Sequence, residues 1–448
     1  MDATRLEWLS ASDAARAIRD GAISSEQLVG ACLARIDAVE PAVQAWQYLD
    51  PKHALAQARA RDLDRSEGRS CGPLHGVPVG IKDIIDTADM PTEDGTVLHA
   101  GRTPDRDATV VSMLRAAGAV IMGKTVTTEC ATYTPGKTRN PHNAEHTPGG
   151  SSSGSAAAVA AGMVPLAVGS QTNGSVIRPA AFCGVYGFKP THGLISRHGI
   201  LKLSRALDQV GVFARTLEDV ALLAEQLTGY DENDPDTRPR ARIPFVQTAA
   251  EEPPFAPHFA FVKTPLWERA EEVTRAAFAE LTEVLAGQCR EHELPESLRE
   301  AWDWQRTIME AEMAANLDIE WKKGRDRLSV SLRDQLARGR EVRALDYQKA
   351  LARMPLLNLG FDELFASYDA VLTPAAPGTA PKIAATGDPA FCTLWTLCGM
   401  PAISLPLMNG EDGLPLGVQL VGRRGDDARL LRTARWLVSH VQADWNTQ

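Results

Sequence analysis

The sequence TPGGSSSGSAAAVAAGMVPLAVGSQTNGSVIRPAAFCGVYGFKPT occupies residues 147–191 and differs in composition from the rest of the chain. It combines a Gly/Ser-rich loop, an alanine-rich segment that predicts a helix, and a second Gly/Ser-rich loop. The first loop, residues 149–155, looks only superficially like a phosphate-binding loop, because it lacks the GK[ST] ending that supplies a lysine and a magnesium ligand. The stretch therefore favours a site built from small residues over nucleotide binding.

Ser175, in the tetrapeptide TNGS, is the candidate nucleophile of this stretch. A serine nucleophile needs a base to take its proton and donors to hold the developing oxyanion. The surrounding small residues let successive backbone N–H groups turn toward one point. This arrangement predicts an oxyanion hole formed by Thr172, Asn173, Gly174 and Ser175. The stretch contains no histidine before His192, so we do not expect a local imidazole as the base.

Several separated motifs carry a resemblance to one enzyme family. Two lie in the central stretch, GGSSSGSAAAVAAG (149–162) and GSQTNGSVIRPAAFCGVYGFKP (169–190), and GIKDIID (80–86) lies upstream. Three more lie near the end of the chain, TPAAPGTAP (373–381), LWTLCGMPAISLP (394–406) and GLPLGVQLVG (413–422). Together these motifs resemble the amidase signature family, and they recur in the same order along most of the chain.

The resemblance implies a hydrolase that cleaves a small-molecule amide through an acyl-enzyme, with no metal and no organic cofactor. It implies that Ser175 attacks the amide carbonyl, and that Ser151, a cis-peptide serine in the family, connects it to Lys82 as the general base. A lysine ammonium has no lone pair, so Lys82 must be neutral to act. Burial away from carboxylates lowers the pKa of a lysine and would permit this.

Structural alternatives exist for these residues. Lys82 could form an ordinary ion pair with Asp83, although the several motifs in register argue against it. One of the hydroxyls of Ser151–Ser153 is expected to cap the alanine-rich helix. His142 and His146 stand four residues apart, but they lie in a loop, so we interpret them as structural residues and not as metal ligands.

Cys183 also lies in the central stretch and could in principle act as a thiol nucleophile. It has no base nearby in the sequence. Reactive thiols need a neighbour that lowers their pKa. We therefore interpret Cys183 as a buried packing residue.

Three positions depart from the commonest pattern of the family. Gln171 stands where an acidic residue is usual and Asn173 where glycine is usual; asparagine tolerates a left-handed backbone, so the oxyanion hole can survive. Arg178 is displaced by one residue, which resembles a malonamidase-like branch. If the chain after Ser175 runs extended, this shift turns the arginine to the opposite side. We expect it there to bind a substrate carboxylate such as that of malonamate, or else to pair with an internal acid.

The predicted fold is α/β, with a large mixed twisted β-sheet covered by helices on both faces. We expect residues 1–448 to form a single amidase domain with a variable helical subregion at about 265–365 over the active site. The chain up to residue 64 reads as helices. Helices are also expected at 107–117, 216–229 and 427–438, and strands at 119–122, 370–373 and 417–421. The Asp- and Pro-rich segment 230–258 reads as a linker-like loop and a subdomain boundary.

The composition narrows the classes of partner. The net charge is −10 and no dense Lys/Arg run occurs, so nucleic acid is not expected. No apolar stretch is long enough to span a bilayer, and the N-terminus lacks the apolar core of a signal peptide. Seven scattered cysteines without a CxxC pair argue against a disulfide framework or a zinc site. We expect a cytoplasmic protein without membrane contact, and a homodimer is compatible with these features.

Two other functions stay open at this stage. One is the ammonia-generating A-type subunit of an amidotransferase, which needs partner chains and should be nearly inactive alone. The other is a non-catalytic amidase-like docking module. Such relatives lose catalytic residues, whereas this chain keeps Lys82, Ser151 and Ser175.

Overall fold

A computed structural model describes residues 5–410 and 412–445 of the chain. The strands are β1 (Trp46–Leu49), β2 (Pro78–Lys82), β3 (Val120–Thr125), β4 (Leu166–Gln171), β5 (Tyr186–Lys189), β6 (Gln209–Ala214), β7 (Phe259–Lys263), β8 (Cys289–Glu293), β9 (Ala370–Pro374), β10 (Ala402–Asn409) and β11 (Pro415–Val421). The helices are α1 (Ala11–Arg19), α2 (Ser25–Val43), α3 (Pro51–Ser66), α4 (Thr109–Ala116), α5 (Ser153–Ala160), α6 (Ile177–Cys183), α7 (Leu217–Leu227), α8 (Phe245–Ala250), α9 (Glu272–Leu285), α10 (Glu300–Asn316), α11 (Asp318–Gly324), α12 (Val330–Glu341), α13 (Ala344–Leu364), α14 (Ala390–Leu397) and α15 (Asp427–Trp445).

The strands form an 11-stranded sheet in the order β1-β3-β2-β4-β6-β5-β10-β11-β9-β7-β8. The pairs β2/β3, β2/β4, β7/β8 and β7/β9 are parallel, and the other neighbours are antiparallel. Helices flank this sheet. The predicted α/β class with a large mixed sheet is therefore confirmed.

Two short helices lie against the middle of the sheet. All residues of α6 are buried, and so are those of α5 except its last. The small side chains of α5 allow very close approach, since a Cβ on Gly154 would meet the backbone nitrogen of Val126 at 2.3 Å. The alanine-rich helix predicted from the central stretch is α5, and its composition is explained by this packing.

Two amphipathic helices follow the sequence pattern closely. In α7 the hydroxyl of Thr216 accepts a hydrogen bond from the Asp219 N–H at 3.1 Å, which caps the helix as predicted. The apolar face of α4, formed by Val110, Val111 and Leu114, is buried. Local periodicity and capping chemistry are sufficient for such helices because they act within a few residues.

The segment 230–258 is largely loop, as its composition predicts, but it also contains a helix. This helix, α8, packs against α7 and α15, and Phe245 at its start is fully buried. Asp234 is also buried and pairs with Arg197 at 2.7 Å, whereas Glu232, Glu251 and Glu252 are exposed. The segment is therefore attached to the core at Phe245 and Asp234, and the subdomain boundary there stays a prediction.

Several elements were not predicted from the sequence. The N-terminal region contains the strand β1 besides its helices, and the late part of the chain contains three strands, since β10 pairs with both β5 and β11. The chain after Ser175 is helical over α6, so the condition of an extended chain, under which Arg178 would turn to the opposite side, is not met. The last helix continues beyond the predicted end, to Trp445.

The region predicted as a variable helical part contains α9 to α13 and the edge strand β8. Helix α10 packs against α12, α13 and α14. The strands of the sheet come from both sides of this region in the sequence, and a single domain for residues 1–448 stays a prediction. Among the described residues, no helix is long and apolar enough to cross a membrane.

Candidate active site

Lys82 and Ser151 are brought into contact, as the resemblance implies. Lys82 is the last residue of β2, and its Nζ donates hydrogen bonds to Ser151 Oγ at 2.7 Å and to Ser170 Oγ at 2.9 Å. Ser170 lies near the end of β4, the parallel neighbour of β2, and was not predicted from the sequence. A hydroxyl at the end of a buried apolar run was the only signal available for this residue.

The environment of Lys82 favours its neutral form. The side chain is fully buried, and this burial lowers the pKa of Lys82 from 10.5 to about 7, against a smaller opposing effect of the Asp208 charge. The alternative ion pair with Asp83 does not form, because Asp83 lies 3.8 Å from the Lys124 ammonium instead.

Asp208 is a carboxylate close to this site that was not identified from the sequence. Its Oδ1 accepts a hydrogen bond from Thr172 Oγ1 at 2.6 Å, and its Oδ2 accepts from the N–H groups of Leu203 and Ser204, both at 2.9 Å. Burial raises the pKa of Asp208 to about 6, although these hydrogen bonds favour the charged form. The expectation that Lys82 lies away from carboxylates is therefore only partly correct.

Ser175 lies in the turn between β4 and α6, with 9% of its surface exposed. Ser151 is buried, and the Gly150–Ser151 peptide bond is cis. Among the hydrogen bonds of the described residues, none joins Ser175 to Ser151. Catalytic contacts are commonly long before substrate binds, so this geometry is compatible with a relay that closes on binding.

The backbone N–H groups of the predicted oxyanion hole are available for a ligand. In the part of the chain that the structure describes, none of the four N–H groups from Thr172 to Ser175 donates a hydrogen bond to another residue. Backbone donors without a partner at the nucleophile are what a developing oxyanion requires.

The side chain of Gln171 stabilises the turn that carries Ser175. Its Oε1 accepts hydrogen bonds from the N–H groups of Val176 and Ile177, at 2.8 and 3.0 Å, and its Nε2 donates to Thr396 Oγ1 at 2.9 Å. Thr396 in turn donates to the carbonyl of Asn173 at 2.6 Å. A glutamine thus supplies both an acceptor for the turn and a donor that links it to α14.

Asn173 is accommodated by its side chain and not by a left-handed backbone. Its φ is not positive, so the tolerance of asparagine for a left-handed backbone is not needed here. Its Oδ1 accepts from Thr393 Oγ1 at 2.8 Å, and its Nδ2 donates to the hydroxyl oxygen of Tyr133 at 3.0 Å. The phenol of Tyr133 therefore keeps its own hydrogen for another acceptor.

Arg178, on α6, is buried with free hydrogen-bonding capacity. Its Nη2 donates to the carbonyl of Gly150 at 2.7 Å, while Nε and Nη1 have no acceptor among the described residues. Burial lowers the pKa of Arg178. No described carboxylate forms an ion pair with it, so the alternative of a pair with an internal acid is not supported.

The other polar residues of the motif have structural partners. His142 Nε2 contacts the carbonyl of Cys183 at 3.0 Å, and His146 Nδ1 contacts that of Ala380 at 2.5 Å. Cys183 is buried, and burial raises the pKa of its thiol. Among the described residues, no three His, Cys, Asp or Glu side chains are grouped to hold a metal ion.

The expected serine cap of α5 is not formed. Ser152 occupies the position before the helix, but its hydroxyl makes no capping bond. It donates instead to the carbonyl of Ser170 at 3.2 Å. The hydroxyls of this loop thus attach α5 to the neighbouring strand β4.

Two adjoining cavities lie near Ser175. The inner one, of about 10 Å³, is lined by Ser175, Arg178, Thr172 and Met313 of α10, among others. The outer one, of about 600 Å³, opens between α10, α12 and α14. Four residues line both cavities, namely Tyr133, Asn173, Met309 and Gln335. We call the outer cavity the vestibule, because its lining continues into that of the cavity at the nucleophile.

Comparison with known proteins relates this site to enzymes that act on amides. The profile of the Amidase family matches residues 27–431. The A-type subunit of the glutamyl-tRNA(Gln) amidotransferase from Chloroflexus aggregans is 35% identical, over 99% of this chain and 98% of its own length. That name belongs to a branch different from the malonamidase-like one, so the branch predicted from Arg178 is not supported by this relative.

Two solved structures are similar along nearly the whole chain. The peptide amidase from Stenotrophomonas maltophilia gives a TM-score of 0.86 at 30% identity and covers 97% of both chains. A protein from a vestigial complex that bears on the evolutionary origins of an s-triazine catabolic enzyme gives a TM-score of 0.90 at 27% identity. That match covers 96% of this chain and 98% of the other.

Proposed function

This chain belongs to the amidase family and is an amide-cleaving enzyme, and we propose that its substrate is a small-molecule carboxamide, hydrolysed by Ser175, Ser151 and Lys82. The observation that carries the assignment is the 2.7 Å contact between Ser151 Oγ and a buried Lys82 whose pKa is about 7. A lysine in this state is neutral in a large fraction of molecules at neutral pH and can accept a proton.

The reaction then runs in two halves. Ser175 Oγ attacks the carbonyl carbon as its proton passes to Ser151 Oγ and the Ser151 proton passes to Lys82 Nζ. The four N–H groups from Thr172 to Ser175 hold the oxyanion. The C–N bond breaks as the proton returns through Ser151 to the leaving nitrogen. Water then attacks the Ser175 ester by the same relay, which releases the carboxylate and restores the free hydroxyl.

The experiment is ammonia release from a panel of small amides by the purified chain. Ser175→Ala should abolish release without loss of the folded state, and a fluorophosphonate probe should label Ser175 in the unmodified protein. The exposed Ser112 offers a matched control, since Ser112→Ala should retain activity and labelling. Labelling at another serine, or full activity of Ser175→Ala, would overturn the assignment.

A finer part of the proposal concerns the acyl portion of the substrate. The unpaired Nε and Nη1 of buried Arg178, in a residue that lines the inner cavity, favour a carboxylate on the substrate, as in malonamate. Arginine binds a carboxylate at two points, which lysine cannot do. A charge-assisted bond corresponds to about 1.5–3 kcal/mol, or roughly ten- to hundredfold in selectivity.

The test compares kcat/KM for malonamate and its neutral diamide in the unmodified protein and in Arg178→Lys. A loss confined to malonamate supports carboxylate recognition. Equal losses on both substrates would assign Arg178 to holding the carbonyl of Gly150, and the finer proposal would fail while amide hydrolysis still stood.

A second candidate is an amidotransferase subunit that acts with partner chains. The observation that favours it is the name of the Chloroflexus relative, which aligns over almost the whole of both chains. This function supplies ammonia from an amide to a second active site in another subunit. The purified chain alone would then release little ammonia from any amide, and addition of the other amidotransferase subunits would raise the rate. Vigorous hydrolysis by the isolated chain would exclude this candidate.

A further inference from the structure

Gln335, on α12, has a buried carbonyl oxygen without a donor. The side chain is 4% exposed, and its Nε2 donates to the carbonyl of Ser331 at 3.1 Å and to the hydroxyl of Ser331 at 3.2 Å. A carbonyl oxygen can only accept, so these contacts define which end of the amide carries nitrogen. The other end, Oε1, has no partner among the described residues.

The unpaired Oε1 of Gln335 belongs to a residue that lines the cavity where the substrate is expected. Gln335 lines the inner cavity together with Ser175 and also lines the vestibule. Buried acceptors are nearly always satisfied, because an unsatisfied one loses its hydrogen bond to water without replacement. We infer that Gln335 Oε1 accepts a hydrogen bond from an N–H group on the acyl portion of the substrate and so determines specificity. This inference rests on the proposed function.

The acyl portion is favoured over the leaving amide nitrogen by the arrangement of the cavities. The leaving nitrogen must receive its proton from Lys82 through Ser151, and neither residue is among those that line the vestibule or the inner cavity. Ser170, the second partner of Lys82, lines a third cavity of about 180 Å³, which shares Ala131, Thr172 and Leu203 with the inner cavity and no residue with the vestibule. The inner cavity therefore lies between the vestibule, which Gln335 lines, and the cavity that Ser170 lines.

The substrate class that follows is an amide with an amino or amide N–H beyond the scissile carbonyl. Arg178 and Tyr133, which line the same inner cavity, offer donors, and Gln335 offers an acceptor. A substrate that carries only a carboxylate leaves this acceptor unpaired. One that carries a donor as well satisfies it and should be preferred.

The experiment uses substrate pairs that differ by one amino group, propionamide with alaninamide and succinamate with asparagine. The measured quantity is the ratio of kcat/KM within each pair, so the intrinsic reactivity of each substrate cancels between protein variants. We expect the unmodified protein to prefer the amino-bearing member, and Gln335→Met to reduce that preference about tenfold. An unchanged ratio in Gln335→Met would overturn the inference.

Two further variants separate recognition from structure. Gln335→Glu loses the donor to Ser331, as methionine does, but keeps an acceptor, so it should retain the preference for amino-bearing substrates. A preference lost equally in both variants would assign Gln335 to holding α12 and overturn the inference. Gln247→Met, at an exposed position on α8, is the control for the substitution itself and should leave both ratios unchanged.

Binding without turnover keeps this test independent of the proposed function. Calorimetric titration of Ser175→Ala with asparagine and with succinamate gives the ratio of the two Kd values, and the same titration follows with Gln335→Met added. A Gln335-dependent preference in this titration, together with no hydrolysis of any amide by the unmodified protein, would support the inference and contradict the proposed function. Equal Kd ratios with and without Gln335 would overturn the inference even in an active amidase.

Discussion

Replacing Lys82 by methionine should stabilise the fold at neutral pH while it removes amide hydrolysis. Burial lowers the pKa of Lys82 from 10.5 to about 7, which means that the folded state disfavours its charged form. The shift corresponds to about 4 kcal/mol of lost stability at pH 7. Methionine is of similar length, avoids this cost and gives up the hydrogen bonds to Ser151 and Ser170, worth about 0.5–1.5 kcal/mol each. The expected net gain is about 1–3 kcal/mol.

The pH dependence identifies the origin of this gain. Between pH 7 and 10.5 Lys82 is neutral in the folded state and protonated in the unfolded state, so the unfolded state binds more protons. The stability contributed at Lys82 therefore rises with pH, by about 1.4 kcal/mol per unit. The advantage of Lys82→Met should shrink at that rate as pH rises. Urea unfolding of both proteins at about pH 7, 8 and 9 measures it, and ammonia release measures activity in parallel.

Lys124→Met is the matched control for a buried lysine. Lys124 lies 3.8 Å from the Asp83 carboxylate and donates to the carbonyl of Ile85 at 2.7 Å, so its removal leaves Asp83 buried without a cation and should destabilise the fold. The reasoning about Lys82 would be refuted if Lys82→Met destabilised the protein at every pH. It would be refuted equally if the stability difference from the unmodified protein did not change with pH.

Further predictions concern the pH profile, the partly buried ion pairs of His99 and the segment 230–258. As pH falls, kcat/KM should drop roughly tenfold from its plateau by about pH 6, because Lys82 becomes protonated. Asp208→Asn should move this acid limb of the pH profile to lower pH, because the Asp208 charge raises the pKa of Lys82. An acid limb that stays in place in Asp208→Asn would contradict this effect of the Asp208 charge. Hydrogen bonds to Asp94 and Glu320 raise the pKa of His99 from 6.5 to about 9. The charged His99 should contribute about 1–2 kcal/mol to the free energy of unfolding, with solvent screening included. This contribution should be complete at pH values below the pKa of His99 in the unfolded state, and it should be lost as pH rises through the pKa of His99 in the folded state. Urea unfolding of His99→Gln and of the unmodified protein measures this contribution. A difference in the free energy of unfolding that does not change with pH would contradict it. Phe245→Ala should cost about 3–5 kcal/mol in the same assay, whereas a loose linker predicts almost no change.

Local chemistry explains the predictions from sequence that the structure confirms. The helices α4 and α7 follow from apolar periodicity and, in α7, from the Thr216 cap, which all act within one or two turns. The contact of Lys82 with Ser151 was inferred from motifs that belong to a known family. It joins the end of β2 to the loop before α5, and these two positions lie far apart in the chain. Family resemblance thus carried long-range information that composition and periodicity did not.

Predictions failed where a residue's role depends on what packs against it. The segment 230–258 reads as a linker-like loop, yet its Asp234 is buried against Arg197 and its helix α8 packs against α7 and α15. The short helix α6 has too few residues for a periodic signal, so the sequence did not predict that the chain around Arg178 is helical. Gln335 carries no sequence signal at all, because an unsatisfied oxygen can be recognised only when every neighbouring donor is known.

The sequence by itself determined the α/β class and, through its motifs, the resemblance to the amidase signature family, which implied the candidate nucleophile, relay and base. These depend on residue type and on the order of motifs along the chain. Only the tertiary structure decided that Ser170 is the second partner of Lys82, that Asp208 opposes its loss of charge, and that Arg178 and Gln335 have unpaired polar atoms at the same cavity. Desolvation and hydrogen-bond satisfaction are properties of a packed environment, and residues distant in the chain create that environment together.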